Sequence, residues 1–442
     1  MDSISSRDSR RIGFVSTRIG GTDGVTLEIL KWAEILERMG HTCFYIAGQC
    51  DVDPERSMLI PEAHFRHPTI DWINRQCFGR THRNPDVTAE IHEMRWVIKE
   101  KLHTAIKRLD LDLLIAENCV TIPMNLPLGL AIVETVMETG IACIAHHHDF
   151  FWERERFLVN AVVDYLRAAF PPVLTQIQHV AINSQAAQEF SRRTGLHCRM
   201  IPNIMDFEHP PEPSDAYSRE FRAALGLSAE DILVLQPTRI VQRKGIEHSI
   251  ELVRLLGDPH VKLVITHSAG DEGESYPMRV LMYAKLMGVD VILAAPWIAN
   301  ERETTPDGKH RFTIADAYRE ADFVTYASTY EGFGNAFLEA VYFRKPIMCN
   351  RYSIYRTDIE PCGFDAIVMD GFLTDKVVDQ VRLVLRDEDR RQHMVEHNYN
   401  VATRFFSYHR AEAELLSIIS AALPSPTVEV NREGAPLTPL TP

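Results

Sequence analysis

The segment Arg11–Ala47 limits the fold more than any other part of the chain. An apolar run, Arg11–Ser16 (R-I-G-F-V-S), leads through T-R-I-G-G-T-D-G into Val25–Met39, where Val25, Leu27, Ile29, Leu30, Ala33 and Leu36 recur at helical spacing. Gly40 stops that helix, and a second apolar run follows at Thr42–Ala47. Strand, glycine loop, helix and strand make one βαβ unit, which implies a parallel sheet with right-handed crossovers.

The alternation continues along the chain. Apolar runs at Leu111–Ala116, Ile141–Ala145, Val180–Ile182 and Met200–Ile201 read as strands with helical patterns between them. Three prolines within Glu208–Asp215 fix φ and remove donors, so this stretch is neither helix nor strand and reads as a linker. Strand patterns resume at Ile232–Leu235, Val261–Ile265, Val291–Ala294, Phe323–Tyr326, Ile347–Cys349 and Ala366–Met369, with helices predicted over Gly245–Leu256, Ser275–Met287 and Asp375–Leu385. The fold class is therefore α/β, with two successive doubly wound units of about 200 residues each. The predicted divisions are 1–207, a proline-rich linker at 208–216, a second unit at 217–405, a last helix at 406–423, and a disordered tail at 424–442 carrying five prolines. His64–Asp86 breaks the rhythm. With Arg66, Arg75, Arg80 and Arg83, three histidines, Phe65, Trp72 and Phe78, it reads as an irregular insertion of the functional kind.

Charge excludes some partners. With 47 Lys+Arg against 61 Asp+Glu the chain carries −14, which argues against a nucleic-acid surface spread over the molecule. None of the eight cysteines forms a C-x-x-C pair, and most sit in apolar segments as reduced thiols do. The N-terminus M-D-S-I-S-S-R-D-S-R-R has no apolar signal core, and no apolar stretch approaches the ~20 residues of a membrane helix, so a cytoplasmic protein is expected.

Open α/β sheets bind ligands beyond the C-terminal ends of their strands, and four such ends carry unusual residues. Gly20-Gly21-Thr22-Asp23-Gly24 is not G-x-G-x-x-G, and no acidic residue ends the second strand, which argues against a dinucleotide site but leaves a phosphate-approaching loop. In Ala145-His146-His147-His148-Asp149 strand alternation turns His146 and His148 one way and His147 the other. No cysteine or carboxylate stands at a familiar metal-ligand spacing, so a histidine that hydrogen-bonds a polar substrate is expected, and no metal. Arg239 and Lys244, five apart across a turn that opens a helix, suit one diphosphate; cations are disfavoured at a helix N-terminus unless an anion binds there. The fourth end is Glu331-Gly332-Phe333-Gly334-Asn335, with Glu339 a turn further on; ionised carboxylates there suit sugar and ribose hydroxyls.

In this order and on these strand ends, the motifs resemble the retaining glycosyltransferases of family 4, which have the two-domain GT-B fold. The resemblance runs from Ile12 to about Leu423. Glu331 and Glu339 match the family's glutamates separated by seven residues, Arg239 and Lys244 its basic pair, and Gly20 and Gly21 its N-terminal glycine loop. Ile201-Pro202-Asn203, followed by Asp206, looks like the segment that ends its first domain. One of His147 and His148 is similar to the family's active-site histidine, with His147 slightly favoured. The resemblance implies transfer of a hexose from a nucleotide diphosphate sugar, of the UDP-glucose or GDP-mannose class, to a hydroxyl with retention and without metal or other cofactor. It also implies a last helix that crosses back to the N-terminal domain. Gly332, Phe333, Gly334 and Asn335 then belong to the donor turn, and Arg75, Arg80 and Arg154 are the arginines expected to meet a polar or anionic acceptor. A lipid-linked acceptor at a membrane is the main competing expectation; a sugar-nucleotide epimerase or a phosphorylase shares the architecture.

Overall fold

The structure is a computed structural model that describes residues 9–21, 23–269, 273 and 275–423; the tail from 424 on, expected to be disordered, lies outside the described residues. In the first half β1 (Arg11–Ser16), β2 (Thr42–Ala47), β3 (Ser57–Leu59), β4 (Leu113–Glu117), β5 (Ala142–His147), β6 (Ile177–Ala181) and β7 (Cys198–Met200) form one sheet. It is parallel throughout, in the order β3-β2-β1-β4-β5-β6-β7. The strand order reverses at β1, and the ends of β1 and β4 open beside each other at that switch point.

Both faces of this sheet are covered, which is why its strands read as nearly continuous apolar runs. On β1, Ile12 and Phe14 face a cluster with Ile29 and Trp32 of α1 (Gly24–Arg38), while Val15 faces the opposite cluster with Leu128 and Ile132. Asp23 caps α1 by accepting from the amides of Val25 and Thr26. The opposite layer comprises α2 (Pro68–Cys77), α3 (Pro85–Leu109) and α4 (Leu126–Thr139). Short helices α5 (Glu155–Leu158) and α6 (Val163–Ala169) follow β5, and α7 (Ser184–Thr194) follows β6.

Helix α2 corrects the expectation of an irregular insertion at His64–Asp86. Pro68 starts the helix, and Ile70, Ile73 and Cys77 form a narrow buried stripe against Val87 and Ile91 of α3. Three apolar residues among charges sustain ten residues of helix only because α3 supplies their partner.

The linker leads into α8 (Ala216–Ala224) and a second parallel sheet. Its strands are β8 (Ile232–Gln236), β9 (Val261–Ile265), β10 (Val291–Leu293), β13 (Phe323–Tyr326), β14 (Ile347–Asn350) and β15 (Ile367–Met369), in the order β10-β9-β8-β13-β14-β15. A two-residue antiparallel hairpin, β11 (Glu303–Thr304) with β12 (His310–Arg311), lies outside that sheet. Helices α9 (Ile246–Leu256), α10 (Ser275–Met287), α11 (Ile314–Glu320), α12 (Asn335–Tyr342) and α13 (Asp375–Arg386) cover it.

Two last helices follow, the first packed on the second domain and the second returning to the first. α14 (Glu388–Phe406) ends where the Met205 amide donates to the Phe406 carbonyl at 3.0 Å. α15 (Tyr408–Ala422) buries Ala411, Leu415, Ile418 and Ile419 against the α1 side of the first sheet. Each of its large apolar side chains contributes about 1.5–3 kcal/mol to holding the halves together.

Candidate active site

The candidate donor residues stand at the C-terminal ends of β8 and β13. Gln236, fully buried at the end of β8, accepts from Ser249 and from Thr325 at 2.8 Å each and donates to Thr238 at 2.8 Å, so the following loop leaves the sheet in a fixed direction. The loop carries Arg239, turns through Gln242–Lys244 and reaches Gly245 at φ +57°. A Cβ on Gly245 would stand 2.5 Å from the Ala327 carbonyl oxygen, so only glycine lets α9 begin this close to the end of β13. The Thr329 amide donates to the Arg243 carbonyl at 2.8 Å and joins the two loops.

Glu331 is the point where they meet. Its carboxylate takes Lys244 Nζ on one oxygen and Arg243 Nη1, at 2.9 Å, on the other. Burial works against the Glu331 charge, but Lys244 and Arg243 outweigh it and hold the carboxyl below its ordinary value. Burial lowers Lys244, with Glu331 opposing and Arg243 and Arg239 adding to the fall. Glu339, on α12, accepts from the Tyr318 hydroxyl at 2.9 Å; burial raises its pKa. Arg243 was not singled out in the sequence; its partner lies 88 residues away.

The first domain closes over this turn. Asn183 donates to the Gly332 carbonyl at 2.7 Å, and Asn203 donates to the Asn335 side chain at 2.5 Å. Phe333 is buried against Phe406, and Gly334 accommodates the Tyr352 hydroxyl, which donates to the Phe333 carbonyl at 2.7 Å. Gly24, at the start of α1, faces Asn335 across the cleft, its Cβ direction meeting Nδ2 at 3.6 Å. Gly20 and Gly21 lie in the loop before it; the Gly20 amide is already bonded to Thr26 Oγ1 at 3.1 Å, so it is engaged within the loop.

The three histidines separate as strand alternation requires. His147 turns into the core, packed by Phe150 and Phe190, with Thr121 at 2.6 Å on Nδ1 and His179 at 3.0 Å on Nε2. Burial pushes its pKa well below the usual histidine value. The slight preference for His147 as the cleft histidine thus meets a ring enclosed in apolar packing, and His148 is the one at the domain boundary: its carbonyl approaches Gly332. No carboxylate stands at a familiar sequence spacing from the histidines, yet the fold brings one to them. β4 pairs with β5 so that Glu117 stands beside His146, and its Oε2 lies 3.0 Å from His146 Nδ1 and 3.3 Å from His148 Nε2.

Of the arginines, Arg154 pairs with Asp149 near Tyr330 of the second domain. Arg75 is exposed and pairs with Asp71 at 2.6 Å, and Arg80 donates to the Arg75 carbonyl at 3.1 Å. A second basic group gathers beside the glycine loop: Arg18 lies 5.6 Å and Arg66 5.8 Å from the Phe65 ring, on which His64 stacks at 4.5 Å. Burial and these two guanidinium groups lower the His64 pKa. H-F-R-H was visible in the sequence as part of the basic insertion; its closeness to Arg18 was not.

Among the described residues no helix is long and apolar enough to cross a membrane. The family profile described as glycosyl transferases group 1 matches residues 299–401. A mannosylglucosylglycerate synthase of Petrotoga mobilis is 33% identical over 383 residues, covering 80% of this chain and 86% of its own. One of Thermotoga maritima is 30% identical over 439 residues, covering 91% of this chain and 98% of its own. A glycosyltransferase structure from Rickettsia africae superimposes with a TM-score of 0.66 at 14% identity, over 95% of this chain and all of the other. Two facing α/β domains bridged by a returning C-terminal helix, and relatives that match over nearly their whole length, make this chain a member of the group 1 glycosyltransferases with the GT-B fold.

Proposed function

We propose that this enzyme transfers a hexose from a nucleotide diphosphate sugar, with retention, to a hydroxyl of an anionic saccharide or hydroxy acid. The reading rests on the meeting of Arg243 and Lys244 with the Glu331 carboxylate beside the start of α9, with Arg239 near enough to act on Lys244. Two cations that share one carboxylate beside a helix N-terminus, with Arg239 close by, suit a polyanion, and a diphosphate supplies it. The second domain then holds the nucleotide and the first the acceptor.

In this mechanism Arg239 and Lys244 stabilise the departing diphosphate in a site that excludes water, as preorganised charge does at a developing anion. Glu331 and the Gly332–Asn335 turn orient the donor sugar, and Glu339 binds the ribose. His148, whose carbonyl approaches Gly332 at the domain boundary, is the histidine assigned to the sugar. The glutamates are hydroxyl ligands and not an acid/base pair flanking a scissile bond. The acceptor hydroxyl attacks from the face the diphosphate leaves, and the diphosphate takes its proton.

The relatives' names describe a product built from mannose, glucose and glycerate. Glycerate is a carboxylic acid, and the Arg18, His64 and Arg66 group together with Arg154 is suited to it. GDP-mannose is accordingly the favoured donor and a glucosylglycerate the favoured acceptor. Nucleotide release is measured with GDP-mannose, UDP-glucose and an ADP-sugar, each with glycerate, glucosylglycerate and neutral glucosylglycerol. NMR of the product reads the anomeric configuration. Turnover with glucosylglycerate at least tenfold above glucosylglycerol, and a retained configuration, is expected. Equal use of the neutral acceptor overturns the acceptor assignment, and an inverted product overturns the mechanism.

A further inference from the structure

The group formed by Glu117, His146 and His148 has no role in the transfer beyond the placement of His148. Its three ligand atoms lie within 4.8 Å of one another, and all three residues are buried. Both imidazoles are directed at the same carboxylate oxygen, at 3.0 and 3.3 Å. Trp32 stacks on His146 with ring centroids 4.0 Å apart and fixes its plane. The hydrogen-bond partners of the Glu117 carboxylate are these two histidines; no lysine or arginine pairs with it among the described residues. A fully buried carboxylate whose partners are two imidazoles needs a positive charge among them, either a proton or a bound cation.

We propose that Glu117 Oε2, His146 Nδ1 and His148 Nε2 bind one divalent transition-metal ion of the zinc or cobalt class. In a tetrahedral site with bonds of about 2.0–2.2 Å, ligand atoms stand about 3.4 Å apart, close to the two separations observed here. Two imidazoles and a carboxylate suit zinc, cobalt, nickel or manganese better than calcium or magnesium, which prefer oxygen. Three protein ligands leave a fourth position. Of the three residues His148 retains the most exposed surface and its carbonyl approaches Gly332 of the second domain, so the fourth position is assigned to that side. The ion also fixes a tautomer. With Nε2 of His148 on the metal, its Nδ1 carries the proton and becomes a hydrogen-bond donor towards the sugar. The ion is thus a positioning device on the acceptor side, and the diphosphate stays with Arg239 and Lys244.

The test uses the full chain without a histidine tag, freed of metal by a chelator and dialysed against Co²⁺ or Zn²⁺. One ion per chain is expected, with a tetrahedral Co²⁺ absorption band and raised thermal stability. Glu117→Gln and His146→Gln each weaken binding at least tenfold. His393→Gln, which breaks the surface pair His393 and His397 whose rings lie 6.2 Å apart, leaves it unchanged. If either variant fails to fold, zinc-edge X-ray absorption of the wild type decides, because the first shell must then contain two imidazoles. A wild type that takes up less than about 0.1 ion per chain, a first shell without imidazole, or binding lost in His393→Gln and kept in Glu117→Gln overturns the proposal. Metal uptake is read without substrate, so its failure is distinguishable from a failure of the transferase assignment.

Discussion

Replacement of Glu331 by glutamine tests the centre of the proposed donor site, because it removes a charge while keeping the shape. Glu331 and Lys244 each expose about a tenth of their side chains, so the pair is held largely out of water. Deleting one partner of a buried pair costs about 3–5 kcal/mol, because the other charge is left uncompensated. In Glu331→Gln two cations lose their common anion, and the lower end, about 3 kcal/mol, is expected because Lys244 can shed its proton. In Lys244→Met the carboxylate keeps Arg243 at 2.9 Å, and about 2 kcal/mol is expected. The double variant leaves no uncompensated partner of the pair and loses about 3 kcal/mol. The coupling between the two positions is then about 2 kcal/mol, read from a double-mutant cycle in guanidinium unfolding followed by circular dichroism. Turnover should fall by a comparable free energy: a hundredfold loss in kcat/KM corresponds to about 2.7 kcal/mol of lost transition-state binding. The affinity for GDP alone should change less than that for GDP-mannose, because Glu331 is assigned to the sugar. A coupling below about 0.5 kcal/mol would show that the pair does not act as a unit, and full turnover in Glu331→Gln would remove it from the donor site.

Other perturbations reach other links in the structure. Gly245→Ala forces a side chain against the Ala327 carbonyl at a left-handed φ; a loss of about 2 kcal/mol or more by chemical denaturation is expected, with a raised donor KM. Asp358 accepts from the Ser184 amide at 2.7 Å and caps α7 from the opposite domain, so Asp358→Ala should lose about 1 kcal/mol and raise the KM for donor and acceptor together. Burial lowers His179 from 6.5 to about 3. The unfolded chain therefore binds this proton first, and stability falls as pH drops below 6.5, by about 2 kcal/mol at pH 5, from 1.36 kcal/mol per unit. His179→Phe should flatten that part of the stability–pH curve, and parallel curves for the two proteins would refute the assignment. Arg66→Gln and Arg154→Gln should each raise the KM for glucosylglycerate about tenfold and leave glucosylglycerol unaffected; equal effects on both acceptors would show that neither arginine reads the carboxylate.

What the sequence made legible depended on how far apart the interacting residues lie. Arg11–Ser16, Thr42–Ala47, Val261–Ile265 and Phe323–Tyr326 were placed to the residue, because strands buried on both faces leave unbroken apolar runs between glycines and charges. The Glu331–Glu339 turn was legible for a similar reason: it is local. The segment at Pro68–Cys77 was not, since its three core residues are outnumbered by polar ones and only α3 makes them a face. Local pattern also led away from Glu117. Twenty-nine residues separate it from His146, and no familiar ligand spacing joins them. The pairing of β4 with β5 does so, because partners in a parallel register share a face, and because His148 follows His146 at the two-residue strand period. A period-two histidine pair at the end of a buried strand is therefore a question put to the neighbouring strand. A strand that ends in an acidic residue, as L-L-I-A-E does, is the answer to look for even when the sequence places it far away.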